Sequence, residues 1–165
     1  MGKMRVYLDA LVFGGYFDDE FAESTKPFFD ALLAGQATAL ISDTLVRELA
    51  GAPERVRDLL RQVMTGNCIY LEAGDETDDL RDAYLTAGVL PPKWADDALH
   101  VSHASVARAD VMVSWNFKHL VNPSRIRAFD GVNTTQGYGP VVIMTPLDVA
   151  GAVKEKEDET KEQGF

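Results

Sequence analysis

Short apolar runs alternate with longer segments of helical periodicity along most of the chain. Five runs predict strands, at 4–8, 38–41, 68–71, 111–115 and 141–144. Between these runs, apolar residues recur three and four positions apart, as they do on one face of an α-helix. Strands that alternate with helices are typical of a parallel sheet covered on both faces. The pattern therefore predicts an α/β fold with a central, mostly parallel sheet flanked by helices.

The segment from Trp94 to Asn122 joins the most apolar predicted helix to a strand. Two carboxylates, Asp96 and Asp97, precede a helix with small or apolar residues around most of its circumference, so this helix is predicted to be buried. The strand that follows ends on Asn116. In parallel α/β sheets, binding sites form at the carboxyl ends of the strands. Polar groups are thus expected at two element ends near such a site.

Three segments lack a clear pattern of regular structure. The chain from Asn122 to Pro140 contains three glycines and is predicted to be a loop. Proline removes a backbone hydrogen bond, so Pro27 is expected to interrupt or restart a helix over 19–34. Residues 154–165, KEKEDETKEQGF, are charged and almost without apolar side chains. We therefore predict one domain over 1–153 and a frayed, disordered tail over 154–165.

Composition narrows the classes of protein to which this chain can belong. The 165 residues are 46% hydrophobic and 25% charged, as in ordinary globular domains. The net charge of -10 argues against a simple phosphate-tracking binder of nucleic acid, but not against an enzyme whose carboxylates are neutralised by a divalent metal. One cysteine, Cys68, excludes an internal disulfide and suits a reducing compartment. No apolar run suggests a signal peptide or a membrane span, so a cytoplasmic protein is expected.

Four polar residues stand at the ends or starts of predicted elements. Asp9 follows the first strand, Glu48 lies in the helix after the second, Asp97 begins the buried helix, and Asn116 ends the strand after it. Such residues can converge at the carboxyl edge of one sheet. Clustered carboxylates take up protons unless a cation compensates them, and hard oxygen ligands suit Mg²⁺ or Mn²⁺. A metal so held could activate water for phosphodiester cleavage. Because acidic residues are common and no fixed ligand spacing is present, spacing alone does not identify the site.

The sequence resembles that of PIN-domain ribonucleases, the family that includes VapC-type toxins of toxin–antitoxin pairs. The matching segments follow the family order over almost the whole chain: YLDALVFGGYFDDEF at 7–21, ISDTLVRELAGAPERV at 41–56, ADDALHVSHASVARADVMVSWNFKHLVN at 95–122 and GYGPVVIMTPLDV at 137–149. The resemblance implies a PIN-like doubly wound sandwich and a Mg²⁺- or Mn²⁺-dependent endoribonuclease. It also implies that Asp9, Glu48 and Asp97 are catalytic, metal-ligating carboxylates, with Asn116 in the fourth place.

The sequence departs from the family pattern at two points. Relatives usually carry Thr, Ser or Asn within two residues of the first aspartate, where this chain has Ala10 and Leu11. Many relatives carry Asp where Asn116 stands. A missing second-shell hydrogen bond typically costs about 10–100-fold in metal affinity or activity. The alternative function is therefore a catalytically weak or inactive PIN-like module that binds RNA or a protein partner.

Several further residues have competing interpretations. Asp96 is an alternative metal ligand to Asp97, but we expect it to be the helix N-cap or an outer carboxylate. His100 and His103 share a helix face, and packing or orienting roles are favoured over a zinc pair because Cys68 is the only thiol. Lys118 and His119 are candidate contacts for substrate phosphate, although exposed loop residues are the commoner explanation.

Partners and competing classes follow from the same residues. The toxin resemblance implies an RNA substrate, an antitoxin protein and a homodimer, with no membrane partner. A phosphoacceptor receiver domain also places an aspartate at a strand end. It would need a paired acidic motif after the first strand and a late lysine, but Asp9 stands alone and Met144-Thr145-Pro146 follows the last strand. We rank that class below the nuclease.

Overall fold

The computed structural model describes residues 2–163, which contain a single five-stranded parallel sheet. The strand order is β3-β2-β1-β4-β5, and every adjacent pair is parallel. This confirms the predicted α/β fold. The strands are β1 (Met4–Leu8), β2 (Ala37–Ser42), β3 (Cys68–Leu71), β4 (Val111–Val113) and β5 (Ile143–Met144). The last two are shorter than predicted, because pairing ends before Trp115 and begins only at Ile143.

Eight α-helices and one short 3₁₀ turn at Pro92–Trp94 accompany these strands within residues 2–163. No helix in this range is long and apolar enough to cross a membrane. The helices are α1 (Ala10–Gly15), α2 (Ala22–Leu33), α3 (Asp43–Leu49), α4 (Glu54–Thr65), α5 (Asp75–Thr86), α6 (Ala95–Val106), α7 (Pro123–Gln136) and α8 (Pro146–Gln163).

The sheet separates two apolar cores, because successive side chains of a strand point to opposite faces. In β1, Val6 and Leu8 pack into one core with residues of α1 to α4 and α8, whereas Tyr7 packs into the other with residues of α5, α6 and α7. All three are fully buried. Since β1 is covered on both faces, it is apolar at almost every position, as expected of a central parallel strand.

The strand order places a crevice at the carboxyl ends of β1 and β4. The chain moves outward from β1 to β2 and β3, then returns to the other side of β1 with β4 and β5. In open α/β sheets, the crevice at such a reversal is the usual position of a binding site. Asp9 follows β1 directly at this point, and Ser114 follows β4.

The segment predicted to be a loop after Asn122 is the helix α7, so that prediction is wrong. The Asn122 side chain caps the helix by accepting hydrogen bonds from the backbone of Ser124 (3.1 Å) and Arg125 (3.2 Å). Pro123 occupies the first turn, where its missing N–H has no cost. Gly137 ends the helix in the left-handed conformation, with φ 86°. The helix was missed because only Phe129 and Asn133 are buried along it, which leaves little apolar periodicity.

The prediction of a disordered tail is also wrong for residues 154–163, which continue α8. Val149 and Val153 anchor the helix in the core, and α8 packs along α2. Beyond them, the Lys156 ammonium donates a hydrogen bond to the Gly2 carbonyl at 3.0 Å. The first half of α8 is packed in the core, and the charged second half therefore continues the same helix. Residues 164 and 165 lie outside the described range.

Proline 27 does not interrupt its helix, contrary to expectation. Helix α2 runs from Ala22 to Leu33 with Pro27 inside it. A proline inside a helix costs about 3 kcal/mol. Phe28, Phe29 and Leu32 are buried directly after it, and burying each such side chain contributes about 1.5–3 kcal/mol, which offsets the cost.

Candidate functional site

Three of the predicted acidic residues line one small cavity at the carboxyl edge of the sheet. Asp9 follows β1, Glu48 lies in α3 and Asp97 lies in the first turn of α6. The cavity has a volume of about 40 Å³, which exceeds the roughly 10–15 Å³ that one water needs. Its other lining residues are Ala10, Leu11 and His100. The fold therefore brings together the three carboxylates that are far apart in the sequence.

Asp9 is the most buried of the three carboxylates, with 4% of its surface exposed. One oxygen, Oδ1, accepts the backbone N–H of Val12 at 3.1 Å and so caps α1. The other oxygen, Oδ2, accepts a hydrogen bond from the Ser114 hydroxyl. Burial raises the pKa of Asp9 to about 6, because the hydrogen bond from Ser114, the proximity of His100 and the Val12 N–H offset the desolvation only in part. A cation in the cavity would stabilise the charged form.

Ser114 was not predicted as a site residue, yet it supplies a polar group that Ala10 and Leu11 do not. It is fully buried at the end of β4, beside Asp9. Its hydroxyl donates to Asp9 and accepts the backbone N–H of Asn116 at 2.9 Å. The available signal was a serine directly after an apolar strand at the sheet's carboxyl edge. The support for Asp9 thus comes from a neighbouring strand rather than from the turn after β1.

Asp97 is held by two side chains from the loop after β4. Its Oδ2 accepts hydrogen bonds from His119 Nδ1 at 3.0 Å and from the Asn116 amide at 3.3 Å. The amide oxygen of Asn116 in turn accepts the backbone N–H of His119 at 2.9 Å. Asn116 lies next to Asp97 but not among the residues that line the cavity. This arrangement favours an orienting role for Asn116, and its role as a metal ligand stays a prediction.

The two residues predicted to contact substrate phosphate occupy different environments. His119 is buried beside Asp97, and its ring lies 4.5 Å from that of Trp94 between centroids. Lys118 is exposed in the same loop. His119 is therefore placed to hold Asp97, and Lys118 is the freer of the two to meet a phosphate. Both roles remain predictions.

Asp96 turns away from the cavity that Asp97 lines. Its carboxylate lies 3.4 Å from the Arg47 guanidinium in an ion pair whose two side chains are about two-thirds exposed. Neither Asp96 nor Asp97 caps α6, because the helix begins at Ala95 and Trp94 holds the cap position, so the first of the two roles expected for Asp96 is wrong. Both carboxylates lie in the first turn, where the helix dipole favours negative charge. Of the two, Asp97 belongs to the cavity.

Glu48 is fixed by a buried histidine. Its Oε1 accepts a hydrogen bond from His100 Nε2 at 2.8 Å, and its side chain is 26% exposed. Burial lowers the pKa of His100, but the hydrogen bond and charge of Glu48, with the charges of Asp9 and Asp97, raise it overall. His103, one turn along α6, bonds instead to the Thr44 hydroxyl at 2.9 Å, and burial lowers its pKa to about 4. The two histidines therefore contact different partners and do not form a pair.

The donor atoms at the cavity fit a hydrated hard cation better than a closed metal cage. Among residues 2–163, no group of three or more His, Cys, Asp and Glu side chains is arranged to hold a metal ion directly. Mg²⁺ keeps several waters and is usually bound through one or two carboxylates, so it does not require such a group. Three carboxylates line the cavity, and one of them is a buried aspartate with a raised pKa. This oxygen-donor set fits Mg²⁺ or Mn²⁺.

Comparisons with known proteins identify the fold. No protein-family model matches the sequence, and no curated protein matches it. This protein is similar in structure to a chain in the crystal structure of VapBC2 from Rickettsia felis bound to a DNA fragment from their promoter. The TM-score is 0.54 and the sequence identity is 14%. The similarity covers 86% of this chain and 98% of that one. The chain therefore has a PIN-like α/β fold, with five parallel strands flanked by helices.

Proposed function

We propose that this protein is a Mg²⁺- or Mn²⁺-dependent endoribonuclease that cleaves RNA phosphodiester bonds with an activated water. The observation that carries the proposal is the convergence of Asp9, Glu48 and Asp97 on one cavity at the carboxyl edge of the sheet. The PIN-like fold adds support, because the sequence resemblance to PIN-domain ribonucleases implies an acidic, metal-binding pocket at the carboxyl edge of such a sheet.

Glu48 and Asp97 would each hold the cation with the oxygen that accepts no hydrogen bond from the described residues, whereas both oxygens of Asp9 already accept one. Asp9 would bind through its buried carboxylate while Ser114 and Val12 fix the orientation of that group. Asp97 would bind through Oδ1, because Oδ2 already accepts from His119 and Asn116. The bound cation would supply an activated water and positive charge opposite the scissile phosphodiester.

The strong negative charge of the chain also shapes the proposal. With a net charge of -10, RNA would be repelled unless cations lie close to the cavity. Arg47 lies next to Glu48 in the sequence; it is exposed and, among residues 2–163, forms an ion pair only with Asp96, at 3.4 Å. An exposed pair of this kind contributes about 0–1 kcal/mol, so a phosphate could displace Asp96 at little cost. We propose Arg47 and Lys118 as the residues that meet the RNA backbone.

A toxin role in a toxin–antitoxin pair is the biological setting that we propose. Its support is the PIN-like fold shared with a chain of VapBC2, together with the resemblance of the sequence to VapC-type toxins. An antitoxin protein would then be the partner, the chain would form a homodimer, and both would act in the cytoplasm, where the RNA substrate is.

A second candidate function is a PIN-like module that binds RNA or a protein partner without cleaving RNA. Ala10 and Leu11 favour it, because the first turn of α1 brings two apolar side chains to the cavity. Leu11 is 51% exposed, which is unusual for a leucine beside buried acidic groups. In this case the carboxylates would stabilise the fold or a partner, and no cation would be needed.

Cleavage of mixed RNA by the purified full chain tests the proposed function. We expect cleavage with Mn²⁺, none with EDTA, and none by the Asp9→Asn variant, because an amide cannot replace the buried negative charge. Asp58→Asn is the matched control: Asp58 is exposed on α4 and, within the part of the chain that the structure describes, pairs only with Arg61, so this variant should cleave like the wild type. Failure of the wild type to cleave, with Mn²⁺ binding weaker than millimolar, would favour the non-cleaving module.

A further inference from the structure

A chain of buried hydrogen bonds begins at the first turn of α3 and returns to Glu48 on the same helix. The backbone N–H of Leu45 donates to Ser42 Oγ at 3.1 Å, and Ser42 Oγ lies 2.7 Å from the Tyr7 hydroxyl. That hydroxyl lies 2.6 Å from His100 Nδ1. His100 Nε2 then reaches Glu48 Oε1 at 2.8 Å. Four elements, β1, β2, α3 and α6, thus meet in one chain of bonds.

The two ends of this chain have fixed hydrogen-bonding roles. A backbone N–H can only donate, and an ionised carboxylate can only accept. Glu48 therefore requires a proton on His100 Nε2. If the ring is neutral, Nδ1 must accept from Tyr7, which then accepts from Ser42. If the ring is protonated, Nδ1 donates to Tyr7, and Tyr7 donates to Ser42.

Tyr7 and Ser42 can satisfy the ring in both states, because each hydroxyl can rotate and reverse its role. Ser42 accepts the Leu45 N–H in either case. Both residues and His100 are buried, so water does not compete for these bonds. The consequence is that Nε2 presents an N–H to Glu48 whatever the charge of the ring.

Glu48, the carboxylate at the end of these hydrogen bonds, needs such a constraint more than Asp9 and Asp97 do. Asp9 accepts two hydrogen bonds, and Asp97 accepts two. Glu48 accepts only the one from His100 among the described residues, although glutamate has one more rotatable bond than aspartate. Ordering such a flexible side chain costs rotamer entropy. Without His100, Glu48 would be free to leave the cavity.

We propose that His100, Tyr7 and Ser42 are positioning residues that hold one oxygen of Glu48 and leave the other for the cation. This inference rests on the proposed function, because it assigns Glu48 to the metal site. His100 is the direct partner, Tyr7 keeps the ring in the required orientation, and Ser42 joins this network to the N-terminus of α3. The same residues explain why a tyrosine hydroxyl and a histidine are buried between the sheet and α6.

A matched pair of tyrosine variants separates positioning from general stability. Tyr84 is also buried, and its hydroxyl contacts Ser105 and Asn133 away from the cavity. Tyr7→Phe and Tyr84→Phe each remove one buried hydroxyl and leave the ring. We expect similar decreases in the midpoint of thermal unfolding for both variants. Only Tyr7→Phe should weaken Mn²⁺ binding, measured by calorimetry or electron paramagnetic resonance, by about 3–10-fold, at or below the range found when a second-shell partner is lost.

Variants at His100 test the direct contact. His100→Leu removes the donor and should weaken Mn²⁺ binding by about 10–100-fold. His100→Gln keeps an amide donor near the position of Nε2 and should recover part of that affinity. Equal Mn²⁺ affinity in the wild type, Tyr7→Phe and His100→Leu would overturn the positioning role alone. A wild-type protein that binds no Mn²⁺ would overturn this inference together with the proposed function.

Discussion

Two buried tyrosines organise polar networks on the same side of the sheet, and the networks end differently. Tyr7 in β1 and Tyr84 in α5 belong to the same apolar core, and both hydroxyls are hydrogen-bonded. The Tyr84 network ends on neutral groups, since Asn133 donates to the Gly139 carbonyl at 2.9 Å. The Tyr7 network ends on the carboxylate of Glu48. The same side chain, equally buried, therefore fastens elements together in one place and aims a charged group in the other.

The charges near the two tyrosine hydroxyls also differ. Burial raises the pKa of both tyrosines, so both hydroxyls stay protonated. Around Tyr7, three carboxylates, Asp9, Glu48 and Asp43, raise the pKa further, whereas around Tyr84 this is done by one carboxylate, Asp130, together with Tyr138. A polar network inside a core can thus be classified by the charge at its end rather than by the residues that compose it.

Replacing the end group of each network should give the largest effects. The Glu48 variant should lose activity, and the Asn133 variant should lose stability. Glu48→Gln keeps the hydrogen bond from His100 but removes the charge, so RNA cleavage should fall by more than about 100-fold, beyond the loss of a second-shell group, with little change in stability. Asn133→Ala removes one hydrogen-bond partner each from Tyr84 and Ser105, which keep their contact with each other, and leaves the Gly139 carbonyl without its side-chain donor. It should lower the free energy of unfolding by about 3 kcal/mol and leave Mn²⁺ affinity unchanged.

Cleavage assays and urea unfolding of both variants check this pair. If Asn133→Ala reduced Mn²⁺ affinity as much as Glu48→Gln, the two networks would not be functionally distinct. If Glu48→Gln cleaved RNA at the wild-type rate, Glu48 would have no place in the active site.

The buried charge of Asp9 should make the metal-free protein less stable as pH rises. Its pKa is about 6 in the folded state, against a usual value of 3.8, so the folded state binds this proton more tightly. The stabilisation is complete below about pH 4 and is lost as pH rises through 6. The difference of about two between the folded and the usual pKa corresponds to about 3 kcal/mol. Asp9→Asn should abolish this pH dependence of the free energy of unfolding. Urea unfolding of both proteins between pH 4 and 8, without metal, measures this.

Added Mn²⁺ provides the control for that experiment. At neutral pH the cation should stabilise the wild type and not Asp9→Asn, because only the carboxylate gains a partner. A wild type whose pH dependence matches that of Asp9→Asn would show that desolvation at Asp9 is already compensated within the protein.

The smallest expected difference lies between the serines of the two networks. Ser42 Oγ and Ser105 Oγ each contact a tyrosine hydroxyl, at 2.7 and 3.2 Å. Ser42→Ala and Ser105→Ala should each destabilise the protein by about 1 kcal/mol, since Ser42 also caps α3 and Ser105 also accepts from Asn133. Only Ser42→Ala should weaken Mn²⁺ binding, by a few-fold. Equal Mn²⁺ affinities would limit the positioning role to His100 and Tyr7.

Much of the fold could be predicted from the sequence because the central strands are simple apolar runs. The bounds of β1 and β3 were predicted to the residue, and the parallel arrangement followed from alternation with helices. Apolar periodicity does not reveal helix α7, because its inward face is narrow, although Asn122, Pro123 and Gly137 mark its ends. The sequence predicts no helix over 154–163, because the charged composition of these residues does not show that the preceding part of α8 packs in the core.

The candidate site was predictable only in part. Asp9, Glu48 and Asp97 could be selected because each lies in or beside a recognisable apolar element and matches a family segment, and the structure brings them to one cavity. Their role as metal ligands stays a prediction. Tyr7 and Ser114 could not be selected, because a tyrosine within an apolar strand and a serine after one are equally consistent with plain packing. Their partners are 35 to 105 residues away, so only tertiary structure pairs them.

The side chains that hold the carboxylates of the acidic cavity have a consequence for synthesis on the ribosome. Asp9 leaves the exit tunnel early, but its partner Ser114 and the residues that hold Asp97 belong to the last third of the chain. A nascent chain that stops before β4 has the first carboxylate without the strand that completes its surroundings. The cavity can therefore form only after most of the protein has been translated, and an incomplete product would lack it.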